Sequence, residues 1–290
     1  MVYKTSDKVF NIFINIITLI SVILCLFPVL NVVAVSMSSN SAILASKVFV
    51  WPVNFNVESY KAIIKDSTMI WSLVYTIIIT VVYTVIGMFL TICAAYPLTK
   101  KRLKGRNAIM LLIIFTMYFS GGLIPDYMLV KNLHMLDSSW SLILPGVLSA
   151  FNLIVLKTFF TSLPESLEES AILDGCNDIG VLFKIVLPLS KPVLATLSLF
   201  YAVGKWNSFM DALFYISDSK LYPLQLKLYQ IIVNSQTVEA SIGDGNMSQN
   251  LLPESLKAAC VVFATLPIVL VYPKLQKHFV SGIMIGAVKG

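Results

Sequence analysis

The sequence has few charged residues for its length. Of its 290 residues, 12% are charged and 57% are apolar, whereas a typical soluble domain has roughly 25% charged residues. A soluble fold cannot bury so much apolar surface, because about a quarter of the chain's surface stays exposed even in a 300-residue domain. The composition therefore excludes an ordinary soluble enzyme and a disordered regulator. It indicates a polytopic membrane protein.

The residues that usually carry catalysis or bind metals are also scarce. The two histidines, His134 and His278, are expected in loops, and the sequence has no Cys/His cluster, Asp-rich motif or Walker A pattern. The cysteines lie far apart, and three of them are in apolar runs: Cys25, Cys93, Cys176 and Cys260. We interpret them as small buried apolar side chains. No catalytic residue, metal site or bound cofactor is predicted.

Six apolar runs are present, and they predict six membrane-spanning helices in an all-α bundle. A helix rises about 1.5 Å per residue, so about 20 residues cross the apolar core of a bilayer. The runs are Val9–Val35, Met69–Leu98, Asn107–Phe119, Trp140–Phe160, Val193–Ile216 and Leu256–Tyr272. The alternative for the first run is a signal peptide cleaved near Ala34-Val35-Ser36, but the run is longer than the apolar part of such peptides.

Breaks and charges refine this topology. The third run meets Ser120-Gly121-Gly122 and then Pro125, which should break the helix. Five of the seven residues between 100 and 106 are positive, and further lysines lie near both termini. Positive residues near membrane ends mark the cytoplasmic side. We therefore expect one transmembrane domain over residues 1–290, with both termini in the cytoplasm and a long extracellular loop over residues 217–255.

The segment over residues 161–192 does not fit a plain membrane bundle. Ser162 and Glu165 have the spacing of a capping box at a helix start. Apolar side chains recur on one face of this helix, at Leu163, Leu167 and Ala171. Gly175 should end the helix by taking a positive φ, and a second helical piece should run over residues 178–186. We predict a helical hairpin that needs a membrane surface or a partner protein.

Within that segment, one motif resembles a known family. Glu169-Ser170-Ala171, Gly175 and Ile185-Val186-Leu187-Pro188 have the spacing E-x-A-x3-G-x9-I-x-L-P. The motif looks like the EAA loop of ABC importer permeases, with Ser170 in place of the usual alanine. The resemblance implies that the loop lies in the cytoplasm and couples the permease to an ATP-binding subunit. The coupling residues would be Glu169, Ala171, Asp174, Gly175, Ile185, Leu187 and Pro188.

The resemblance extends over nearly the whole chain. Three internal motifs resemble MalG-like sugar permeases: Gly121-Gly122-Leu123-Ile124-Pro125, Leu142-Ile143-Leu144-Pro145 and Trp206-Asn207-x-Phe209. The ending at residues 279–290 resembles the LplC- and YtcP-type branch of that family. This implies a multi-pass subunit of a bacterial plasma-membrane importer for oligosaccharides or uronate-containing saccharides. The implied partners are a second, homologous permease chain, two ATPase subunits that bind ATP and Mg, and an extracellular solute-binding protein.

The fifth run carries polar residues at membrane depth, where unpaired charges are costly. We expect this helix to line the substrate path with Tyr201, Lys205, Trp206, Asn207 and Asp211. Asn207 and Asp211 are four residues apart and should share one helix face. The alternatives are that Lys205 and Asp211 pair with the other permease half, that Asp211 lies near the outer surface, or that the partner chain makes most sugar contacts.

Three other functions remain open from the sequence. The nearest is an ABC permease for a solute other than a sugar. A membrane channel or scaffold would give no use to the 161–192 segment, and a membrane enzyme lacks a catalytic constellation. Co-purification of an ATP-binding subunit would separate the permease from both of these.

Overall fold

The computed structural model describes the backbone of residues 5–241 and 254–287, and the side chains of residues 10–233 and 254–271. Every regular element in these ranges is a helix, as the composition predicts. The helices belong to two units, which we describe separately. The first contains the described residues up to Ile70 and those between Leu228 and Leu266, and the second contains Trp71–Lys227 and the described residues from Pro267 onward.

The first unit begins with one long helix and two short ones. They are α1 (Thr5–Ser36), α2 (Asn40–Leu44) and α3 (Glu58–Lys65). The Ser39 side chain accepts a hydrogen bond from the Ala42 N–H and caps α2. Ala42 is buried and packs with Ala34 and Val48, which fixes α2 against the end of α1.

The remaining helices follow in chain order. They are α4 (Ser67–Thr99), α5 (Arg106–Tyr118), α6 (Leu123–Asn132), α7 (Ser139–Ile143), α8 (Ala150–Ser162), α9 (Glu165–Leu173), α10 (Asp178–Val181), α11 (Leu187–Leu189), α12 (Lys191–Asn207), α13 (Met210–Tyr215), α14 (Leu224–Ser241) and α15 (Glu254–Ala287). A π-helical turn, Leu182–Val186, joins α10 to α11, and a 3-10 turn, Ser219–Leu221, precedes α14.

Among the described residues, three helices are long and apolar enough to cross a membrane. These stretches are Phe10–Ser36, Ser67–Thr99 and Glu254–Val271. Two bent pairs raise the number to five if each pair is one span: α5 with α6, bent by 114°, and Asp178–Leu189 with Lys191–Trp206, bent by 82°. The first pair bends at Gly121-Gly122, as the sequence predicts. The fourth predicted span corresponds to α8, a shorter apolar helix of 13 residues.

Two predicted helices are interrupted in the structure. The fourth run, Trp140–Phe160, was expected to be continuous, but α7 ends at Ile143 and α8 begins at Ala150. Gly146 has φ +68 in this gap, a conformation that ends a helix. The fifth run breaks at Ser208, which has an extended backbone (ψ 129), before α13 restarts. Apolar composition does not reveal either break.

The predicted extracellular loop, residues 217–255, is partly helical. Its apolar stretch from Leu221 onward becomes α14, which extends into the polar stretch as far as Ser241. The rest of that polar stretch, up to residue 250, lies outside the described residues. The last predicted span also extends further than expected, because α15 continues beyond Tyr272 to Ala287.

The second unit has a core in which α4 packs against α8 and α12. Its buried members are Met88, Ala95, Tyr96, Leu156, Phe160, Ala171, Val181, Val186, Val193, Leu197 and Tyr201. Gly87 allows this close approach: a Cβ there would lie 2.9 Å from the Tyr201 ring and 3.0 Å from the Val147 carbonyl oxygen. The 161–192 segment contributes three residues to this core, so it is anchored to the bundle.

Two expectations about scarce residues are wrong. Of the four cysteines, only Cys260 is buried, while Cys25 and Cys93 are exposed on α1 and α4; all four are free. Apolar helices that face lipid carry exposed apolar side chains, so an apolar run does not imply burial inside the protein. His134 lies in a turn, as expected, but His278 falls within α15 rather than in a loop.

Candidate functional site

The 161–192 segment starts differently from the predicted capping box. Ser162 is the last residue of α8, and its hydroxyl donates a hydrogen bond to the Phe159 carbonyl. The following helix, α9, begins at Glu165 with Pro164 at its N-cap, so no side chain caps it. The capping-box interpretation is therefore wrong. The proline separates the two helices because it has no N–H and disfavours a helical residue before it.

The end of α9 agrees with the prediction. Gly175 has φ +85, and its N–H donates to the Ile172 carbonyl at 3.0 Å. The Cys176 N–H donates to the Ala171 carbonyl at 2.9 Å. These two bonds form a Schellman motif, in which a left-handed residue closes the helix. Glycine suits this position because a left-handed backbone has no steric cost without a Cβ.

The second helical piece is longer and less regular than predicted. Asn177 caps α10 by accepting a hydrogen bond from the Gly180 N–H at 2.8 Å. The π-helical turn follows, and the Leu187 N–H donates to the Leu182 carbonyl. The helix continues through Pro188 to Leu189, although the sequence suggested that it would stop at Leu187-Pro188. The wider turn accommodates the proline within the helix.

The seven predicted coupling residues divide into two groups. Ala171 is buried in the core, and Ile185 and Leu187 are partly buried against it. The remaining four are exposed: Glu169, Asp174, Gly175 and Pro188. The predicted apolar stripe is also split, because Ala171 is buried while Leu167 is exposed. The buried group holds the segment in place, and the exposed group is available for contact.

Sequence reasoning missed the apolar side chains on the exposed face of this segment. Leu173 is 87% exposed beside Gly175. Other large apolar residues are exposed with it: Ile172, Ile179 and Phe183. They occupy the helix positions that a water-soluble surface would fill with polar residues. That signal is present in the sequence, and it indicates a surface that lies against a membrane or another protein.

The positive stretch after α4 pairs with the 161–192 segment. Lys100 forms an ion pair with Glu168, Lys101 pairs with Glu165, and Arg102 pairs with Asp178. The Lys100 ammonium also lies 4.3 Å from the centre of the Tyr96 ring. The Tyr96 hydroxyl donates to the Asp178 carbonyl at 3.2 Å. Three consecutive cations therefore pair with three carboxylates, two on the first turn of α9 and one on the first turn of α10.

Two of these groups have displaced pKa values. Burial lowers the pKa of Lys100, but the hydrogen bonds and charges of Glu168 and Tyr96 together raise it above its ordinary value. The hydrogen bond and charge of Lys101 lower the pKa of the Glu165 carboxyl. Both displacements favour the charged forms, so Lys100 and Glu165 are ionised at neutral pH. A cleft of about 450 Å³ lies between the positive stretch and α9.

A second cleft, of about 600 Å³, lies beside α12. Its wall is mixed, because aromatic rings and small polar groups line it together with one cation, Lys205. The lining residues are Tyr83, Gly146, Ser149, Phe151, Asn152, Phe200, Tyr201, Gly204 and Lys205. The Tyr201 hydroxyl is 2.7 Å from that of Thr91 and accepts the Ser149 N–H at 3.0 Å. The Tyr83 hydroxyl donates to the Gly146 carbonyl at 2.9 Å. The wall is held in position by its own hydrogen bonds.

Lys205 is the charged group of this cleft. Its side chain is 8% exposed, its ammonium donates to Asp211 at 2.9 Å, and it lies 5.1 Å from the centre of the Tyr83 ring. Asp211 also accepts the Ser208 hydroxyl at 3.1 Å. The two charges thus pair with each other inside one chain. An ammonium carries three donors, so one acceptor leaves capacity for another.

The predicted shared face of Asn207 and Asp211 is wrong, because α12 ends at Asn207 and the chain changes direction at Ser208. Asn207 is exposed and donates back to the Val203 carbonyl at 2.9 Å. Trp206 is buried in the protein. Of the five predicted path residues, the structure brings Tyr201 and Lys205 together at the cleft, with Asp211 bonded to Lys205. Sequence reasoning missed Tyr83, which is distant in the chain.

The described residues contain no group of three or more His, Cys, Asp or Glu side chains that could hold a metal ion. The charged groups of both regions are instead satisfied by ion pairs and hydrogen bonds. Their chemistry is that of recognition and positioning, with cations, carboxylates and tyrosine hydroxyls as the functional groups.

Comparisons with known proteins show the family of this chain. The family described as binding-protein-dependent transport system inner membrane component matches residues 87–285. The chain is 42% identical to the polygalacturonan/rhamnogalacturonan transport system permease protein YtcP of Bacillus subtilis (strain 168), over 98% of this chain and 100% of YtcP. It is 47% identical to Protein LplC of the same organism, over 91% of this chain and 90% of LplC.

A solved structure of an ABC transporter also resembles this chain. A chain of a bacterial ABC transporter involved in the import of the acidic polysaccharide alginate is 31% identical and superimposes with a TM-score of 0.86. The match covers 96% of this chain and 99% of the other. The expected resemblance to ABC importer permeases is confirmed. With a family match over most of its length and relatives above 40% identity, the chain belongs to the binding-protein-dependent transport system inner membrane components.

Proposed function

We propose that this permease subunit imports oligosaccharides that carry uronate groups. The observation that carries the proposal is Lys205, a nearly buried cation that lines a cleft together with tyrosines, phenylalanines and small polar groups. A uronate offers a carboxylate for the ammonium, and its hydroxyls suit the polar groups of the wall. YtcP is named for polygalacturonan and rhamnogalacturonan, and the structural relative imports alginate, which is an acidic polysaccharide.

As a binding-protein-dependent membrane component, the chain is a transport subunit and not an enzyme. It works with a partner permease, an ATPase and a solute-binding protein. We further propose a distinct homologous permease as the partner, and two ATPase subunits that hold ATP and Mg. This arrangement would place Lys205 on a path shared between the two permease chains.

We propose that both termini and the 161–192 segment lie in the cytoplasm. The support is the positive stretch between residues 100 and 106, because such stretches remain on the cytoplasmic side. An impermeant thiol reagent should then label a Lys104→Cys variant only after the cells are permeabilised. Labelling in intact cells would contradict the orientation.

The ATPase would dock on the exposed face of the 161–192 segment. Glu169 offers a carboxylate to a basic residue. Leu173, beside the Gly175 turn, and Phe183, on the second arm of the hairpin, offer apolar contacts. Ala171, Ile185 and Leu187 would contribute indirectly. They pack against the core and so hold the segment in place with its other face exposed. Loss of the exposed apolar side chains should therefore weaken ATPase binding without unfolding the permease.

The substrate proposal is tested by uptake into proteoliposomes that contain the full complex with its binding protein. Oligogalacturonides should be taken up, and Lys205→Met should reduce their uptake by about tenfold, the effect of losing one charge-assisted hydrogen bond. Reduction of their carboxyl groups to alcohols gives neutral oligosaccharides, and the uptake of these should fall less in Lys205→Met. The matched control is Lys227→Met, which removes a lysine of the same unit that does not line the cleft.

Two results would contradict the substrate proposal. Equal loss of neutral and acidic uptake in Lys205→Met would show that Lys205 only supports the fold. Unchanged uptake of oligogalacturonides in Lys205→Met, at normal expression, would show that the acidic group is bound elsewhere or by the partner permease.

A further inference from the structure

The cations at the end of α4 have a geometry that topology alone does not require. A positive loop that only fixes membrane orientation needs charge, but it needs no partner. Here Lys100, Lys101 and Arg102 each pair with a different carboxylate of the hairpin. Lys104 belongs to the same loop and forms no ion pair among the described residues. Pairing is therefore confined to the three residues nearest α4.

We propose that these three residues, the basic clamp, fix the 161–192 segment to α4 so that movement of the segment is transmitted along that helix. The inference rests on the proposed docking of an ATPase to the segment. Lys100 is the principal positioning residue of the basic clamp. The clamp acts on coupling between ATP hydrolysis and transport, and it contacts neither ATP nor the saccharide.

The first reason is that α4 connects the clamp to the cleft. It is helical up to Thr99, with Pro97 in its last turn, and Tyr83 and Thr91 lie on it. Tyr83 lies beside the Lys205 ammonium, and Thr91 bonds the Tyr201 hydroxyl. Seventeen residues separate Tyr83 from Lys100, which is about 25 Å along a helix. A rigid helix of that length moves both ends together.

The second reason is the number of independent contacts. Glu165 and Glu168 lie on the first turn of α9, whereas Asp178 begins α10 on the other side of the Gly175 turn. The Tyr96 hydroxyl, also on α4, bonds the Asp178 carbonyl. Both arms of the hairpin are thus held from the same helix end. A single pair would let the hairpin pivot, while contacts on both arms fix its orientation.

Burial ranks the three pairs. The side chains of Lys100 and Glu168 are 17% and 26% exposed, so water screens their interaction only in part. Lys101, Glu165 and Arg102 are far more exposed, and exposed pairs contribute little by themselves. Lys100 also lies against the Tyr96 ring. The effect of neutralising each cation should therefore be largest at Lys100.

The test uses the full complex in proteoliposomes and measures saccharide transported per ATP hydrolysed. Lys100→Gln should lower this ratio by about fivefold, the lower end of typical coupling between sites. The ATPase subunits should still co-purify, because their docking face is intact. Lys104→Gln is the matched control, since it removes one charge from the same loop, and it should leave the ratio unchanged.

A charge exchange separates positioning from simple damage to the fold. Glu168→Lys should lower the ratio as Lys100→Glu does, and the double variant Lys100→Glu/Glu168→Lys should recover part of it. Recovery should be incomplete, because the exchanged pair loses the contact of a cation with Tyr96. Recovery of the ratio by charge exchange is a result that a purely topological role does not produce.

Failure of the clamp and failure of the proposed function give different results. If the wild-type complex shows no saccharide-stimulated ATP hydrolysis, the proposed function is wrong. The clamp proposal, which rests on that function, is then wrong as well. If the wild type is active and Lys100→Gln keeps its transport ratio, the clamp is refuted while the function stands. Equal loss in Lys100→Gln and Lys104→Gln would show that only total loop charge matters, which also refutes the clamp.

Discussion

The two charged regions of the second unit differ in sequence separation and in their access to water. Lys100 and Glu168 are 68 residues apart, and Arg102 and Asp178 are 76 apart. Lys205 and Asp211 are only six apart, and Lys205 is nearly buried. The clamp therefore joins distant elements with one partly buried pair, Lys100–Glu168, and two exposed pairs. At the cleft, the buried Lys205 ammonium is instead paired with Asp211 from the adjacent turn.

This difference indicates different uses of charge. An exposed ion pair stabilises a fold by about 0–1 kcal/mol, so the Lys101 and Arg102 pairs are suited to positioning and contribute little stability. A buried cation without a partner costs several kcal/mol, so Asp211 is needed wherever Lys205 is present. Replacing the pair with apolar residues would avoid this cost, and its presence at a cleft favours a role in recognition.

The largest expected effect is at the buried pair. Asp211→Ala leaves the Lys205 ammonium without its carboxylate. The loss in free energy of unfolding should fall at or below the low end of the roughly 3–5 kcal/mol range for buried pairs, because the Asp211 side chain is 37% exposed. Thermal melting of the purified complex should show a lower Tm than the wild type.

The control for that variant is Lys205→Met/Asp211→Ala, which removes both charges. Its Tm should lie above that of the single variant, since no buried charge is left unpaired. A double variant as unstable as Asp211→Ala would mean that Asp211 acts through Ser208 or through packing, and that the comparison between the two regions is incorrect.

An intermediate effect is expected at the turn of the 161–192 segment. No atom lies within 4 Å of a Cβ built on Gly175, so substitution there causes backbone strain rather than a clash. A left-handed backbone costs most side chains about 1 kcal/mol or more, and asparagine less. Gly175→Trp should reduce the ATPase subunits recovered after detergent purification, while Gly175→Asn should retain most of them.

The Gly175 variants are compared at equal amounts of permease in the membrane. Normal ATPase recovery and transport in Gly175→Trp would show that the turn is not part of the docking face. Equal losses in Gly175→Asn and Gly175→Trp would show that backbone strain alone causes the loss of ATPase subunits. The bulk of the Trp side chain would then have no effect at the interface.

The smallest effect concerns the exposed pair of Lys101 and Glu165. Because the folded-state pKa of Glu165 is below its ordinary value, the ion pair stabilises the folded chain at pH values above that ordinary value. This stabilisation is lost as the pH falls through the lowered folded-state pKa. The Tm difference between wild type and Glu165→Gln should therefore be small and constant from pH 8 to about pH 5, and should vanish in more acidic solution.

Glu169→Gln is the matched control for the pH series, because Glu169 is exposed on the same helix and forms no ion pair among the described residues. Its difference from the wild type should not change with pH in this way. A Glu165→Gln difference that grows on acidification would reverse the sign expected for a carboxyl with a lowered pKa.

The sequence predicts well those features that depend on neighbouring residues. The first apolar run, Val9–Val35, is close to α1, and the glycines after Phe119 separate α5 from α6. Gly175 has the predicted positive φ. Each follows from local rules: apolar length for the span, and backbone freedom for the glycines.

Features that depend on distant contacts were not predictable in the same way. The positive stretch after α4 was interpreted as a topological signal, since nothing in the sequence relates Lys100 to Glu168. Tyr83 was missed at the cleft because it is more than 100 residues from Lys205. The break at Ser208, which overturned the shared face of Asn207 and Asp211, lies among polar residues that were interpreted as lining of the substrate path.

The π-helical turn at Leu182–Val186 predicts which changes in chain length this segment can accept. Val181 and Val186 are both buried in the core, five residues apart. In a regular α-helix, five residues would leave the two side chains about 140° apart, but the π turn, with about 4.4 residues per turn, brings them to the same side. The segment therefore behaves as a helix that carries a one-residue insertion. Deleting one residue between 182 and 185 would restore a regular helix and keep Val186 on the core side, whereas inserting one would turn it away, so length changes here should be tolerated in one direction only.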